Sequence, residues 1–328
     1  MVSLRFPRRL LAVAIAVGAL APSAPAWSWS EETHQTTGAI AWADLKARNP
    51  QALAALLALA PSHPDYPLFA KAARRLSAEL RERALFEWLA RWPDDIRTGP
   101  YDQPKWHYEL RVVYGRTNLW PFINGTASEG FSANYALLAN RCAAPAARAM
   151  AIGWLIHIIG DVQQPLHAGH QMTSEYNLTD RAGELAFVRR KPGGEPTNLH
   201  QYWDKTMERS GVTLPAGEPD WATALTHIWP RARLPELNRS GAAQAVFASY
   251  LDESAELARL VAYRGTYLKA TPDPAKAPVV SEVENRVALA LAERRIATGG
   301  YRIADILARA TKETATSDAA TSGGTCAR

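Results

Sequence analysis

Apolar residues recur at helical spacing through residues 36–59, 68–92, 146–159, 242–261 and 279–310. A period near 3.6 places them on one face, so each stretch predicts an amphipathic or buried α-helix. Period-two alternation, the mark of a half-buried strand, is scarce. Pro61, Pro64 and Pro67 punctuate one connection and Pro272, Pro274 and Pro278 another, and neither gap is long enough to separate two domains. The pattern predicts one all-α, multi-helix domain. A hydrophobic content of 47% in 328 residues supplies enough apolar surface for a sizeable single core.

Both ends depart from this pattern. Arg5, Arg8 and Arg9 precede an apolar run over 10–20 and then a small-residue stretch over 21–26, the build of a secretory signal peptide and too short for a membrane anchor. Residues 1–28 therefore predict export, with a secreted or periplasmic mature protein. Cleavage after Ala26 exposes Trp27, and cleavage after Ser28 exposes Trp29. From Thr311 the Thr/Ser/Ala/Gly composition cannot bury a core, which predicts a disordered tail over 311–328 and a folded domain over 29–310.

Removing the leader changes the charge. The chain carries 37 basic and 32 acidic residues, and loss of the three leader arginines leaves 34 against 32, a net of +2. A polycationic surface for tracking nucleic acid is not indicated, so any anion binding must be local. Arg189, Arg190 and Lys191 form one short basic run in a long loop over 183–200, to be weighed as a solvated turn or a phosphate contact. Cys142 and Cys326 are the two cysteines, too few for a disulfide framework or a thiolate cluster.

The residues that carry chemistry lie in the middle of the chain. His157-x3-Asp161-x5-His167 is followed by His200-x3-Asp204. Four residues apart on a helix, two side chains stand one turn above each other, ~6 Å between Cβ atoms, so an imidazole nitrogen and a carboxylate oxygen can reach one ion. Any one of these histidines can instead be a cap or a satisfied core group, but the same pairing twice points to metal. Trp92-Pro93-Asp94, Trp106-His107-Tyr108 and His34 add further donors beside aromatic bulk.

Together these motifs resemble the secreted zinc-dependent single-strand nucleases of the nuclease P-one and S-one type, within the superfamily shared with zinc phospholipases C. The likeness runs from Trp29 to about Ala310. It implies a cleft holding three Zn(II) ions. One buried ion would take Asp94, His107, His157 and Asp161; a neighbour would take His34, the other oxygen of Asp161, and the α-amine and carbonyl of an N-terminal Trp29; a third, more open ion would take His167, His200 and Asp204. Oxygen and imidazole donors suit Zn(II), which brings the pKa of its water to ~7. Arg97 matches an arginine that stabilises phosphoryl charge, its alternative being an ion pair with Asp94 or Asp95. Tyr108 matches an aromatic on which a nucleobase stacks, its alternative being core. The family's Gly-Gly-Asn, whose Asn contacts the base, meets Ala182-Gly183-Glu184 here, and a carboxylate offers acceptors only. The resemblance implies an endonuclease on single-stranded DNA and RNA, leaving 5′-phosphates and acting also on 3′-nucleotides; no stable protein partner is evident in the sequence, and a monomer is expected. A phospholipase C on the same metals and a non-catalytic zinc-binding surface protein are the alternatives.

Overall fold

The computed structural model describes residues 29–115, 124–176, 178–208 and 211–320, with the side chains of 315–320 excepted. The expected leader over 1–28 and residues 321–328, Cys326 included, lie outside the described residues. Ten α-helices are described: α1 (Glu31–Arg48), α2 (Pro50–Leu59), α3 (Tyr66–Ala72), α4 (Ala78–Asp95), α5 (Ala127–Ala139), α6 (Pro145–Asp161), α7 (Leu199–Asp204), α8 (Trp221–Ile228), α9 (Ala243–Leu257) and α10 (Glu282–Ala320). The all-α expectation holds. No described helix is long and apolar enough to cross a membrane.

Local chemistry sets the helix ends. The Ser30 hydroxyl accepts from the Thr33 amide at the start of α1, with Glu31 and Glu32 against the positive end of the helix dipole. Periodicity predicts one helix over 36–59, whereas the chain breaks at Asn49 and restarts with Pro50 in the first turn of α2. The stretch over 68–92 likewise divides, because Ser77 caps a new helix by accepting from the Leu80 amide. From Ala149 to Asp161, helix α6 is buried apart from one position, as expected of a helix apolar on all sides. Gly38 lets α1 lie against α4, since a Cβ there would stand 2.4 Å from the Phe86 carbonyl oxygen.

Four short strands steer the ligand-bearing loops. β1 (Arg111–Gly115) pairs in parallel with β2 (Gly169–Met172), Arg111 opposite Gly169. The ladder extends back as Glu109 N–H to His167 O at 3.0 Å and Arg111 N–H to Ala168 O at 2.7 Å, which draws the His107 and His167 segments together. β3 (Phe187–Arg189) and β4 (Pro196–Asn198) form an antiparallel hairpin where the sequence predicts only loop, and β4 runs straight into α7. Arg189 and Arg190 serve this hairpin: Arg189 donates to the carbonyls of Gly194 and Pro274, and Arg190 stacks on Tyr202 while donating to its carbonyl.

Helix α10 continues past Ala310 to Ala320, because Thr311 bonds back to Leu307 O and Thr314 Oγ1 donates to Leu138 O at 3.2 Å and Ala139 O at 3.1 Å at the end of α5. Two threonines in a tail-like composition thus find acceptors that composition does not reveal. Cys142 is disulfide-bonded, and no described cysteine is free.

Candidate metal centre

The expected internal ligands come from six segments and meet in one place. Asp94 sits in the last turn of α4, His157 and Asp161 end α6, His34 lies in the first turn of α1, and His200 and Asp204 lie within α7, Asp204 as its last residue. His107 and His167 arrive from the two loops joined by the β1–β2 ladder. The His34 ring lies beside Gly160 on α6, and the rings of His34 and His157 stack with centroids 4.1 Å apart.

A first group forms around Asp161 Oδ2. That oxygen lies 3.0 Å from His107 Nδ1 and 3.0 Å from His157 Nε2, and the two nitrogens are 2.9 Å apart. Asp94 Oδ1 completes it at 3.8 Å from His157 Nε2 and 3.9 Å from His107 Nδ1. Four donors at ~2.0 Å around a tetrahedral ion stand ~3.3 Å from each other, the middle of this range. The other oxygen of the same carboxylate, Asp161 Oδ1, turns to His34 Nε2 at 3.2 Å, and His34 Nε2 is 3.8 Å from Asp94 Oδ2. One fully buried carboxylate therefore serves two donor groups. Burial works to raise the Asp161 pKa, but His157 and His167 beside it hold the carboxyl well below the usual range.

His167, His200 and Asp204 form a separate group, with His167 Nε2 3.8 Å and His200 Nε2 3.6 Å from the Asp204 carboxylate. His167 Nε2, His200 Nε2 and Asp204 Oδ2 are all buried without a hydrogen-bond partner among the described residues. Orphaned donor atoms converging on one point fit a cation, since buried polar groups otherwise find partners. The opposite ring nitrogens are engaged: His157 Nδ1 with Ala90 O at 2.7 Å, His167 Nδ1 with His107 O at 2.7 Å and His200 Nδ1 with Ala182 O at 2.9 Å. Each Nδ1 donates its proton to a main-chain carbonyl, which leaves the Nε2 lone pair for a metal. The donor set, imidazole and carboxylate without thiolate, fits Zn(II).

The remaining expected residues lie at the edges. Trp29 is buried in an apolar cluster that includes Met207, Ala292 and Ile296, and the Ser30 amide donates to Asp204 O at 3.4 Å, which brings this end of the domain to α7. Arg97 clasps Asp94 Oδ1 through Nη2 at 2.6 Å and Nε at 3.2 Å, the ion-pair alternative of the two weighed from sequence. Half-buried Tyr108 has its ring against Gly125 and feels the charge of Glu184. Burial pushes the Glu184 carboxyl up, and the charges it feels include His200, Asp204 and His167, which sets it at the rim of the third group.

Two residues here carry no signal in spacing alone. Gln164 Nε2 donates to Asp204 Oδ1 at 2.9 Å, orienting that carboxylate from within the Gln164-Pro165-Leu166 turn. Fully buried Asp180 accepts from the Gln171 amide at 3.0 Å and from the amides of Ala182 and Gly183. It braces a run of left-handed residues, Arg181, Ala182 and Gly183 at φ 52°, 57° and 87°. A Gly-Gly pair would adopt that turn freely, and Ala182 accepts it at ~1–2 kcal/mol of strain.

The family model described as S1/P1 Nuclease matches residues 29–312. Endonuclease 4 of Arabidopsis thaliana is 31% identical over 172 residues, an alignment covering 48% of this chain and 50% of that protein. The chain thus spans about half the length of that relative.

Proposed function

The chain belongs to the S1/P1 nuclease family, and on that footing we propose that it is an exported, zinc-dependent phosphodiesterase that hydrolyses single-stranded DNA and RNA to 5′-phosphate ends and also acts on 3′-nucleotides. The observation that carries the reading is Asp161, whose two oxygens face different donor groups within one buried cluster. Asp94, His107, His157 and Asp161 would hold one zinc; His34, Asp161 and the α-amine and carbonyl of a mature Trp29 a second; His167, His200 and Asp204 a third. When bound, zinc supplies a water acidified to ~7 and a positive field for the phosphate.

The chain's own residues do the rest. Arg97 keeps Asp94 turned to the His107 and His157 nitrogens, and its guanidinium adds positive charge at the cleft for the phosphodiester. Tyr108 offers a ring face to a base, a sequence-tolerant contact worth ~1–3 kcal/mol. Glu184 accepts hydrogen bonds from an exposed amino or imino group of that base. The local charge of the centre replaces a basic patch on a surface whose mature net charge is close to zero.

Zinc-loaded protein incubated in parallel with single-stranded DNA, RNA, a 3′-nucleotide and phosphatidylcholine vesicles tests the proposal. Cleavage of both polynucleotides to 5′-phosphate ends, lost on chelation and restored by zinc, is expected. Release of a phosphorylated headgroup with intact polynucleotides would make the protein a phospholipase C, and zinc uptake with no turnover would leave it a binding protein.

A further inference from the structure

The third donor group is joined to the other two by one stretch of chain, residues 162–166, between Asp161 at the end of α6 and His167. Its main chain is held by α9 and α10. Val162 O accepts from the Ser254 hydroxyl of α9. Gln163 O accepts from Arg295 Nε at 3.0 Å, and Gln163 Oε1 from Arg302 Nη1 at 2.9 Å, both arginines on α10. Gln163 Nε2 returns to Ile159 O at 2.9 Å, and Arg295 Nη2 reaches Ser254 Oγ at 2.6 Å. α10 approaches this closely because Gly299 faces Gln163: a Cβ there would lie 2.9 Å from Gln163 Cγ.

The two guanidiniums are among the largest side chains buried in the molecule, and they share one counter-ion. Arg302 Nη2 meets Glu253 Oε2 at 2.7 Å, and Arg295 Nη1 meets Glu253 Oε1. Burial works against the Glu253 charge, but Arg295 and Arg302 bring the carboxyl down to about 2. Arg239 also reaches Glu253 Oε2 at 3.1 Å, so three cations face this one anion and leave a net positive charge at the C-terminal end of α6, where the helix dipole is negative and the last carbonyls need donors. Burying such a triad is costly, and packing alone would be served as well by apolar residues of similar size. Its use is geometric, because directed bonds to Val162 and Gln163 allow one path for residues 162–166.

We propose that Arg295, Glu253 and Arg302 are positioning residues that set the separation between the His107/His157/Asp161 donor group and the His167/His200/Asp204 group, with Gln163 as the contact through which they act. This rests on the three-zinc reading above. Loosening the turn displaces His167 and Gln164 together, and with them Asp204, while Asp161 stays anchored by α6.

The test uses wild type, Gln163→Leu, Arg302→Lys and Arg302→Met, each stripped and reloaded with Zn(II) or Co(II). Stepwise competition with a chelator reads each ion's affinity, Co(II) visible absorption reads coordination geometry, and thermal unfolding of the stripped protein reads the fold. The expected result for Gln163→Leu is a 10–100-fold weaker third ion with altered Co(II) bands and the tight pair unchanged, the usual effect of losing an outer partner. Arg302→Lys should recover part of what Arg302→Met loses. Unchanged affinities and bands beside a lower melting temperature would overturn the proposal, as would equal weakening of all three ions. Wild-type protein that binds three ions but leaves polynucleotides intact defeats the nuclease reading while the spacing measurement still decides this one; wild type with fewer than three ions defeats both.

Discussion

At the scale of the residue, the candidate donors stand out because metal chemistry imposes spacing: His157, Asp161, His200 and Asp204 repeat one helical turn, and the structure places His157 beside Asp161 and His200 beside Asp204, at 3.0 and 3.6 Å. The residues that hold the ligands were not legible, since Asp180 and Gln164 act through bonds whose partners lie elsewhere in the chain. Glu184→Asn restores an amide at the rim, so activity on single-stranded DNA should rise or its base preference shift, with little change on a small activated phosphodiester. Identical kinetics on both substrates would remove Glu184 from the base contact. Asp180 gives a second prediction. Burial, opposed by the Tyr263 hydroxyl and the amides around it, pushes this carboxyl from 3.8 up to about 6. A pKa raised by folding adds stability that is complete below about pH 4 and lost as pH rises through about 6. Asp180→Asn should flatten that dependence, by at most about 3 kcal/mol. Melting of metal-free wild type and variant across pH 4 to 7.5 checks it, and parallel curves would show that Asp180 does not titrate there.

At the scale of the element, periodicity recovers the helices whose buried face is apolar and passes over those whose buried face is not. α5 buries Gly130, which receives the Trp106 ring, and Asn134, which bonds to Gly130 O, so its inward face reads as mixed. α7 and α8 are too short for a period to emerge, and α8 is announced instead by its cap, Asp220 accepting from the Thr223 amide at 2.9 Å. The end of α10 shows the converse, a tail-like composition in a helix that touches the end of α5. A chain ending at Ala310 should therefore unfold at lower temperature than one ending at Ala320. The Thr314 hydroxyl carries one proton, so losing its contact at ~1 kcal/mol corresponds to roughly 1–3 °C in a domain of this size. Equal melting temperatures by calorimetry would return the boundary to Ala310.

At the scale of the molecule, three apolar clusters meet around the donor groups, and the ligands span His34 to Asp204 in sequence. An unfolded chain cannot bring such distant groups together, so metal binding should stabilise the fold and chelation should lower the melting temperature. The N-terminus enters the same balance. An α-amine with its own carbonyl forms a chelate that an internal peptide nitrogen cannot make, for its lone pair is delocalised. Protein beginning at Trp29 should carry three zinc ions by elemental analysis. A form with one residue before Trp29 should lack one ion and lose turnover by orders of magnitude. Full zinc and full activity in the extended form would exclude the terminal amine, and best activity from a Trp27 start would move the cleavage site.

Three of the cluster's imidazoles are oriented by carbonyls of the main chain, at Ala90, His107 and Ala182. Side-chain replacement cannot delete a carbonyl, so these orienting contacts are sheltered from point mutation in a way that a carboxylate partner is not. Genetic drift at positions 90 and 182 is then limited by volume and backbone angle alone. Across a mutational library, loss of metal should trace to the donors themselves and to residues that move the backbone, leaving the proton placement on each ring nearly invisible to selection.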